Sequence, residues 1–248
     1  MELSPPPLFL FLFLLPVFFL TSCADAHGFL GKVTIDGTDF AGPSPQDPPS
    51  SSAPSAIRQV ADISPVKGAS NDDLRCGLSA AAAAQEASAK AGSVVEFWWT
   101  GGGGQEWPHN TGPLMTYMAE CTNGDCTSFD PANAKWFKID QLGMNSDSTW
   151  YQAVFMQGKS LSVTLPTALA AGHYLLRSEI IALHNAIAVG GAEFYPACVQ
   201  LNVASSGADA VSAPSPTVSF PGAYTDTDPG IDVPGIYDPG LDYVFPGG

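Results

Sequence analysis

The chain contains only four histidines, and their positions decide which chemistry it could perform: His27, His109, His173 and His184. A histidine at the start of a chain offers a free α-amine and a ring nitrogen, which together can chelate a metal ion. His27 would take that position if the 26 residues before it were removed. One further imidazole would complete a near-planar set of three nitrogens, which favours copper over calcium, magnesium or tetrahedral zinc.

The first 26 residues have the pattern of a secretory signal peptide. An apolar run covers residues 8–20, and the small-x-small sequence Ala24-Asp25-Ala26 follows it. The run is shorter than the roughly 20 residues that span a bilayer. We therefore expect cleavage after Ala26 and secretion to the extracellular space. A signal anchor is the alternative, because no Lys or Arg precedes the apolar run.

Two further histidines are candidates for the site. His109 lies in a turn-rich loop at residues 107–113, where an ordinary solvated side chain is the alternative interpretation. His184 ends an apolar stretch, where a packed core histidine is the alternative. His173 follows Gly172 in a predicted turn, and we assign it no role.

The charge balance limits the class of partner. The chain has 24 acidic and 9 basic side chains, and removal of residues 1–26 would still leave a net charge of −13. Anionic membranes and nucleic acid would repel such a protein, and it lacks the clustered Lys and Arg that phosphate contacts need. A neutral polysaccharide suits this balance, and we expect neither a nucleic-acid nor a membrane partner.

The predicted elements are short strands separated by Gly, Pro, Asn and Asp, which indicates an antiparallel β-sandwich. Residues 80–91 conflict with this prediction, because five consecutive alanines favour a helix. No internal repeat or mid-chain linker marks a boundary, so we expect one domain over residues 27–248. The predicted strands cover residues 32–35, 93–99, 114–119, 161–165, 174–183 and 199–203.

Four cysteines remain after residue 26, an even number that indicates two disulfides in a secreted chain: Cys76, Cys121, Cys126 and Cys198. Three pairings are possible. A Thr-Asn-Gly-Asp turn between Cys121 and Cys126 favours a local bridge, which leaves Cys76 with Cys198.

The end of the chain, from about residue 205 to 248, is rich in Pro-Gly turns and aromatic residues. A disordered tail is one interpretation, but aromatic residues among prolines favour a segment that lies on the domain. Tyr237 and Tyr243 in this segment are candidates to stack on sugar rings. We expect no separate carbohydrate-binding module, because the segment lacks cysteine and tryptophan.

Several motifs follow one another along almost the entire mature chain: His27-Gly28, residues 62–66, Arg75-Cys76-Gly77, and residues 95–99, 108–118, 174–184 and 194–198. In this order they resemble the fungal lytic polysaccharide monooxygenases of auxiliary activity family nine.

The resemblance implies an immunoglobulin-like, fibronectin type III-like β-sandwich with long loops and one copper ion on a flat face. It implies that His27 binds copper through its amine and ring, His109 through its ring, and Tyr195 through its phenol at the axial position. His184 corresponds to a histidine beside the metal. The resemblance also implies the Cys76–Cys198 bridge and an extended conformation at residues 80–91.

The implied activity is oxidative cleavage of β-1,4-glucans, cellulose and hemicelluloses included, at carbon 1 or carbon 4. It requires an external electron donor and dioxygen or hydrogen peroxide, and we expect the enzyme to be a monomer. The chain departs from the family at Glu193, where glutamine is usual. A carboxylate there could replace the amide as proton donor or orient His184 differently.

Other functions fit parts of the pattern. A glycoside hydrolase needs two carboxylates placed roughly 5–10 Å apart, and the acidic residues are numerous enough to allow such a pair. A copper-binding or carbohydrate-binding β-sandwich without oxygenase activity would keep the same fold.

Overall fold

The computed structural model describes residue 1 and residues 27–48, 54–204 and 210–248. The predicted signal peptide therefore lies outside the described residues, apart from Met1. In the described residues, no helix is both long enough and apolar enough to cross a membrane.

Two sheets pack face to face in the described chain. The four-stranded sheet has the order β2-β1-β4-β7, and the five-stranded sheet has the order β3-β9-β8-β5-β6. The pairings are antiparallel apart from the parallel pair β3–β9. The predicted antiparallel β-sandwich is confirmed. The strands are β1 Gly28–Ile35, β2 Thr38–Ala41, β3 Ala87–Lys90, β4 Val94–Gly101, β5 Leu114–Glu120, β6 Phe137–Leu142, β7 Leu161–Thr164, β8 Gly172–Ala182 and β9 Glu193–Ala204.

Helical structure in the described chain consists of short 3₁₀ segments in the connecting loops. These are Asp72–Leu74, Gly102–Gly104, Pro131–Asn133 and Tyr151–Gln157.

The core between the sheets follows from strand alternation. Along β4, Val95, Phe97 and Trp99 are buried, while the residues between them are partly exposed. Successive side chains on a strand point to opposite faces, so this pattern directs every second residue into the core. Tyr195 and Val199 of β9 lie in the same core.

A second core covers the outer face of the five-stranded sheet. Side chains of β5 and β8, such as Tyr117 and Leu175, pack there with Phe220, Tyr224 and other residues of the C-terminal segment. The middle strands of this sheet are therefore buried on both faces, which explains their long runs of apolar residues.

The predicted strands correspond to β1, β4, β5, β7, β8 and β9, whereas β2, β3 and β6 were missed. Residues 80–91 form no helix. The buried amide of Gln200 donates to the carbonyl oxygens of Ala83 and Gln85 and accepts from the Ala83 amide. These hydrogen bonds between the Gln200 side chain on β9 and the backbone of residues 83–85 hold the segment extended. Tertiary contacts therefore override the helix propensity of alanine.

Both expected disulfides are present. Cys76 is bonded to Cys198 with a Cα–Cα distance of 5.0 Å, and Cys121 is bonded to Cys126 with a Cα–Cα distance of 5.4 Å. The first bridge joins a loop to β9, so it fixes the segment that precedes β3 against the five-stranded sheet.

Candidate metal centre

His27 is placed by the close approach of β1 to β4. Its carbonyl oxygen accepts a hydrogen bond from the Gly102 amide at 2.9 Å. A side chain at Gly28 would collide with the Thr100 carbonyl and would stand 2.9 Å from a ring carbon of Trp107. Glycine at position 28 therefore allows the start of β1 to lie against β4, which brings His27 beside the loop that carries His109.

His109 is placed by a buried tryptophan two residues before it. Trp107 packs edge-on against Trp99, His109 and Tyr195, with ring centroids 5.5, 5.4 and 4.9 Å apart. The buried side chain of Gln152 donates to the Gly112 carbonyl at 2.6 Å and so fixes the end of the same loop.

Tyr195 and Glu193 lie on β9, two residues apart, so their side chains point to the same face. The hairpin formed by β8 and β9 pairs Ala182 with Glu193 and Ile180 with Tyr195. The connection between the two strands carries His184. One hairpin thus positions three of the candidate residues.

Three rings converge on one space at the surface. The ring centroid of His27 lies 6.4 Å from that of His109 and 6.3 Å from that of Tyr195, and the His109 and Tyr195 centroids are 5.8 Å apart. His109 Nε2 stands 3.2 Å from the Tyr195 hydroxyl. These donors come from three separate parts of the chain.

His184 stacks on His109, with ring centroids 4.4 Å apart and an angle of 16° between the planes. Its Nε2 is 3.8 Å from Glu193 Oε2. Its Nδ1 is buried and has no hydrogen-bond partner among the described residues. His184 therefore lies beside His109 with one ring nitrogen directed toward the Glu193 carboxylate.

The Glu193 carboxylate is the charged group at the centre of the site. Its side chain is 8% exposed. It accepts a hydrogen bond from the Tyr195 hydroxyl at 2.9 Å and another from Lys67 Nζ at 3.2 Å. Burial raises the pKa of Glu193, but the Tyr195 hydrogen bond and the Lys67 charge outweigh burial and hold the pKa below its usual value.

The Tyr195 phenol stays protonated. Burial, followed by the charge and the hydrogen bond of Glu193, raises the pKa of Tyr195 far above its ordinary value. The neutral hydroxyl therefore donates to Glu193 and keeps an oxygen lone pair available.

Two sets of residues could hold a metal here. The ligating atoms of His109, His184 and Glu193 all lie within 4.8 Å of one another. The second set is His27, His109 and Tyr195. The Glu193 oxygens of the first set already accept hydrogen bonds from Tyr195 and Lys67. Both sets contain two imidazoles, which are ligands that suit copper, zinc, iron and nickel.

The two predicted sugar-stacking tyrosines differ in position. Tyr237 is 65% exposed, and its hydroxyl donates to the His184 carbonyl at 2.8 Å. Tyr243 packs edge-on against Trp150 and Phe245 and is only partly exposed. Of the two, Tyr237 is the one presented beside the site.

Sequence reasoning missed three residues that shape the site: Trp107, Gln152 and Lys67. Trp107 directly precedes the motif at residues 108–118, and that position is the signal that could have found it. Lys67 is one of only nine basic residues, and it directly follows the motif at residues 62–66. Gln152 could not be found from the sequence, because it lies in none of the motifs and no pattern distinguishes it from other loop glutamines. His173, which was given no role, pairs with Glu86 at 2.7 Å.

The model of Auxiliary Activity family 9, formerly GH61, matches residues 27–243. The chain belongs to this family. It is 50% identical over 225 residues to AA9 family lytic polysaccharide monooxygenase D of Gloeophyllum trabeum, and the match covers 90% of this chain. The chain spans 64% of that relative's length. It is 36% identical to AA9 family lytic polysaccharide monooxygenase B of Malbranchea cinnamomea, with 90% of each chain covered.

Solved structures of this family share the fold. The extended catalytic domain of H. jecorina LPMO9A is 34% identical, with a TM-score of 0.79 and 90% of both chains covered. H. jecorina Cel61B, described as a glycoside hydrolase family 61 member, is 32% identical, with a TM-score of 0.80. That match covers 90% of this chain and 99% of Cel61B.

Proposed function

We propose that this chain is a secreted, copper-dependent lytic polysaccharide monooxygenase that cleaves β-1,4-glucan chains oxidatively. Membership of auxiliary activity family 9 supports a polysaccharide monooxygenase. The observation that carries the proposal within this chain is the convergence of the His27, His109 and Tyr195 rings from three separate parts of the sequence.

The proposal includes processing of the chain. Removal of residues 1–26 frees the α-amine of His27 beside its own imidazole, and residues 27–248 act as one catalytic domain. The packing of Tyr224, Ile231 and Ile236 into the second core supports inclusion of the C-terminal segment in that domain.

His27, with its amine and ring, and His109 would hold the copper ion, with the Tyr195 phenol beside them as a further oxygen donor. The bound ion would supply the redox chemistry that oxidises carbon 1 or carbon 4 of the glycosidic linkage, given an external electron donor and dioxygen or hydrogen peroxide.

The surrounding residues have roles that follow from their contacts. Glu193 accepts a hydrogen bond from the Tyr195 hydroxyl and thereby orients the phenol. Trp107 fills the space beneath His109 and Tyr195, which excludes water from that side. His184, stacked on His109, presents Nε2 toward the Glu193 carboxylate at 3.8 Å.

The substrate surface combines neutral groups with one exposed aromatic ring. Tyr237 stands beside His184 and would stack on a sugar ring, as aromatic faces do with apolar ring faces. The acidic net charge of the chain favours an uncharged glycan over an anionic polymer. Cellulose and uncharged hemicelluloses are therefore the proposed substrates of a monomeric enzyme that takes electrons from a small reductant or a redox protein.

Mass spectrometry of products from cellulose and uncharged hemicelluloses, treated with the copper-loaded chain starting at His27 and ascorbate, tests the proposal. We expect oxidised oligosaccharides only when both copper and reductant are present, and their loss in His109→Ala. Hydrolytic products alone would indicate a glycoside hydrolase. Copper binding without oxidised products from any of these glucans would indicate a binding protein without oxygenase activity.

A further inference from the structure

Lys67 lies against the candidate metal centre and contacts three oxygens at once. Its Nζ is 3.2 Å from Glu193 Oε1, 3.4 Å from the Ala192 carbonyl and 3.5 Å from the Gly191 carbonyl. The lysine side chain is 49% exposed, whereas the glutamate side chain is 8% exposed. The contact therefore joins a surface cation to a nearly buried carboxylate.

The backbone fixes this contact. Val66 forms a two-way bridge with Phe194, in which the Val66 amide donates to the Phe194 carbonyl at 2.8 Å and the Phe194 amide donates to the Val66 carbonyl at 3.1 Å. Strand β3 pairs with β9 only from Leu201 onward, so the edge of β9 at Phe194 is open to Val66. The residue after Val66 consequently lies beside the residue before Phe194.

The carboxylate at position 193 places a negative charge where the resemblance leads one to expect a neutral glutamine. Glu193 Oε2 is 3.7 Å from His109 Nε2 and 3.8 Å from His184 Nε2, and it accepts the Tyr195 hydroxyl. An uncompensated carboxylate this deeply buried would be costly, and it would be free to turn toward the histidines. Lys67 supplies the compensating charge and holds the other oxygen.

We propose that Lys67 is a positioning residue that makes glutamate usable at position 193: its ammonium holds Oε1 and thereby keeps Oε2 on the Tyr195 hydroxyl. The relevance of this pair to oxidation rests on the proposed function, but the pair itself does not. Lys67 acts through Glu193 and has no contact with the reacting atoms.

A double-mutant cycle on the copper-free chain starting at His27 tests the pair. Lys67→Met is compared in the native background and in Glu193→Gln, with Lys67→Arg as the conservative variant and Lys135→Met, at an exposed lysine outside the site, as the matched control. We expect Lys67→Met to lower Tm by about 2–4 °C in the native background, which corresponds to about 1 kcal/mol for a domain of this size. In Glu193→Gln the shift should be clearly smaller, because only the contacts of Lys67 with neutral oxygens are then lost, and Lys67→Arg should keep the native Tm.

A second readout uses the copper-loaded variants. The Cu(II) electron paramagnetic resonance spectrum should change in Lys67→Met and return to the native form in Lys67→Arg, because the freed carboxylate lies next to the metal ligands. In the Glu193→Gln background, Lys67→Met should leave the spectrum unaltered.

Equal Tm shifts in both backgrounds, or no shift in either, would overturn the role of Lys67. Failure of the native chain to take up copper would overturn the proposed function instead and would leave the Tm cycle decisive for the pair. The two proposals therefore fail by different measurements.

Discussion

At the scale of the residue, the site depends on a short chain of contacts that begins at one phenol. Tyr195 donates to Glu193, stands 3.2 Å from His109 Nε2 and packs against Trp107. Its raised pKa keeps the proton on the phenol, so Glu193 is the acceptor. The phenol links His109 to the charged residue beside it.

Tyr195→Phe removes this hydroxyl while keeping the ring against Trp107. A hydrogen bond to a charged partner contributes about 1.5–3 kcal/mol, so the free energy of unfolding of the copper-free chain should fall by that amount. Urea unfolding measures the loss. The matched control is Tyr174→Phe, which removes a hydrogen bond from a buried tyrosine to the neutral Ala170 carbonyl. A loss in Tyr195→Phe no larger than in the control would show that the Glu193 charge adds nothing.

The residue types of the site were predictable, but their contacts were not. His27, His109, His184 and Tyr195 followed from position and motif. The Lys67 contact with Glu193 did not, because it joins residues 126 apart along the chain through a two-residue backbone bridge. An isolated bridge of this kind leaves no periodic pattern of residues in the sequence, so it cannot be predicted from one.

At the scale of the element, the C-terminal segment packs on the five-stranded sheet over a buried ion pair of β8. Arg177 donates two hydrogen bonds to the Glu179 carboxylate, from Nη1 to Oε2 at 2.9 Å and from Nη2 to Oε1 at 2.7 Å. Both side chains are fully buried. The Tyr224 hydroxyl donates to Glu179 Oε2 at 2.7 Å. The Phe220 ring lies on the guanidinium, with its centroid 3.8 Å from Arg177 Cζ. The segment thus covers a charge pair that would otherwise meet water.

Glu179→Gln removes one charge of this pair and leaves Arg177 buried without its counterion. Breaking a buried pair in this way costs about 3–5 kcal/mol, so we expect a large loss of unfolding free energy in urea. Asp72→Asn, which removes the exposed partner of Arg75, should change stability by less than about 1 kcal/mol. Equal losses in the two variants would contradict the structural role of the Arg177–Glu179 pair.

The two disulfides should differ in their effect because they close loops of very different length. Cys76 and Cys198 are 122 residues apart, and Cys121 and Cys126 are 5 apart. In the chain-entropy model the first contributes about 5 kcal/mol and the second about 2 kcal/mol. Thermal unfolding of the two paired Cys→Ala variants measures the difference. A larger loss from the short loop than from the long one would contradict this expectation.

The strands that sequence analysis missed share a physical cause. β2 and β6 lie at sheet edges with few fully buried side chains, and β3 is a four-residue edge strand. The alternation that predicts a strand comes from an apolar face and a polar face, and the sequences of these three strands lack it. β7 is also a four-residue edge strand, but it was found because its sequence, Leu161–Thr164, alternates between apolar and polar residues.

At the scale of the whole molecule, the acidic charge selects the kind of surface that the protein can approach. The full chain carries a formal net charge of −15, and the site itself holds one lysine against one carboxylate. Most of the charge therefore lies elsewhere and acts as a repulsive field toward anionic polymers. This field does not repel an uncharged glucan.

Adsorption to glucans should follow from this charge. Binding to cellulose should change little with added salt, because a neutral surface has no charge to screen. Binding to a carboxymethylated cellulose should be weaker at low salt and should recover as the Debye length shortens from about 30 Å at 0.01 M to about 10 Å at 0.1 M. Depletion assays measure both. Tight binding to the anionic polymer that salt abolishes would contradict the expectation.

Copper binding should require that His27 begins the chain, because its α-amine is one of the proposed ligands. Calorimetric titration with Cu(II) of the chain that starts at His27, and of the same chain with the His27 amine acetylated, tests this directly. We expect acetylation to weaken binding by more than about tenfold, or about 1.4 kcal/mol, because it removes the amine that shares a chelate ring with the imidazole. Equal affinity of the two chains would contradict a copper site built on the His27 amine.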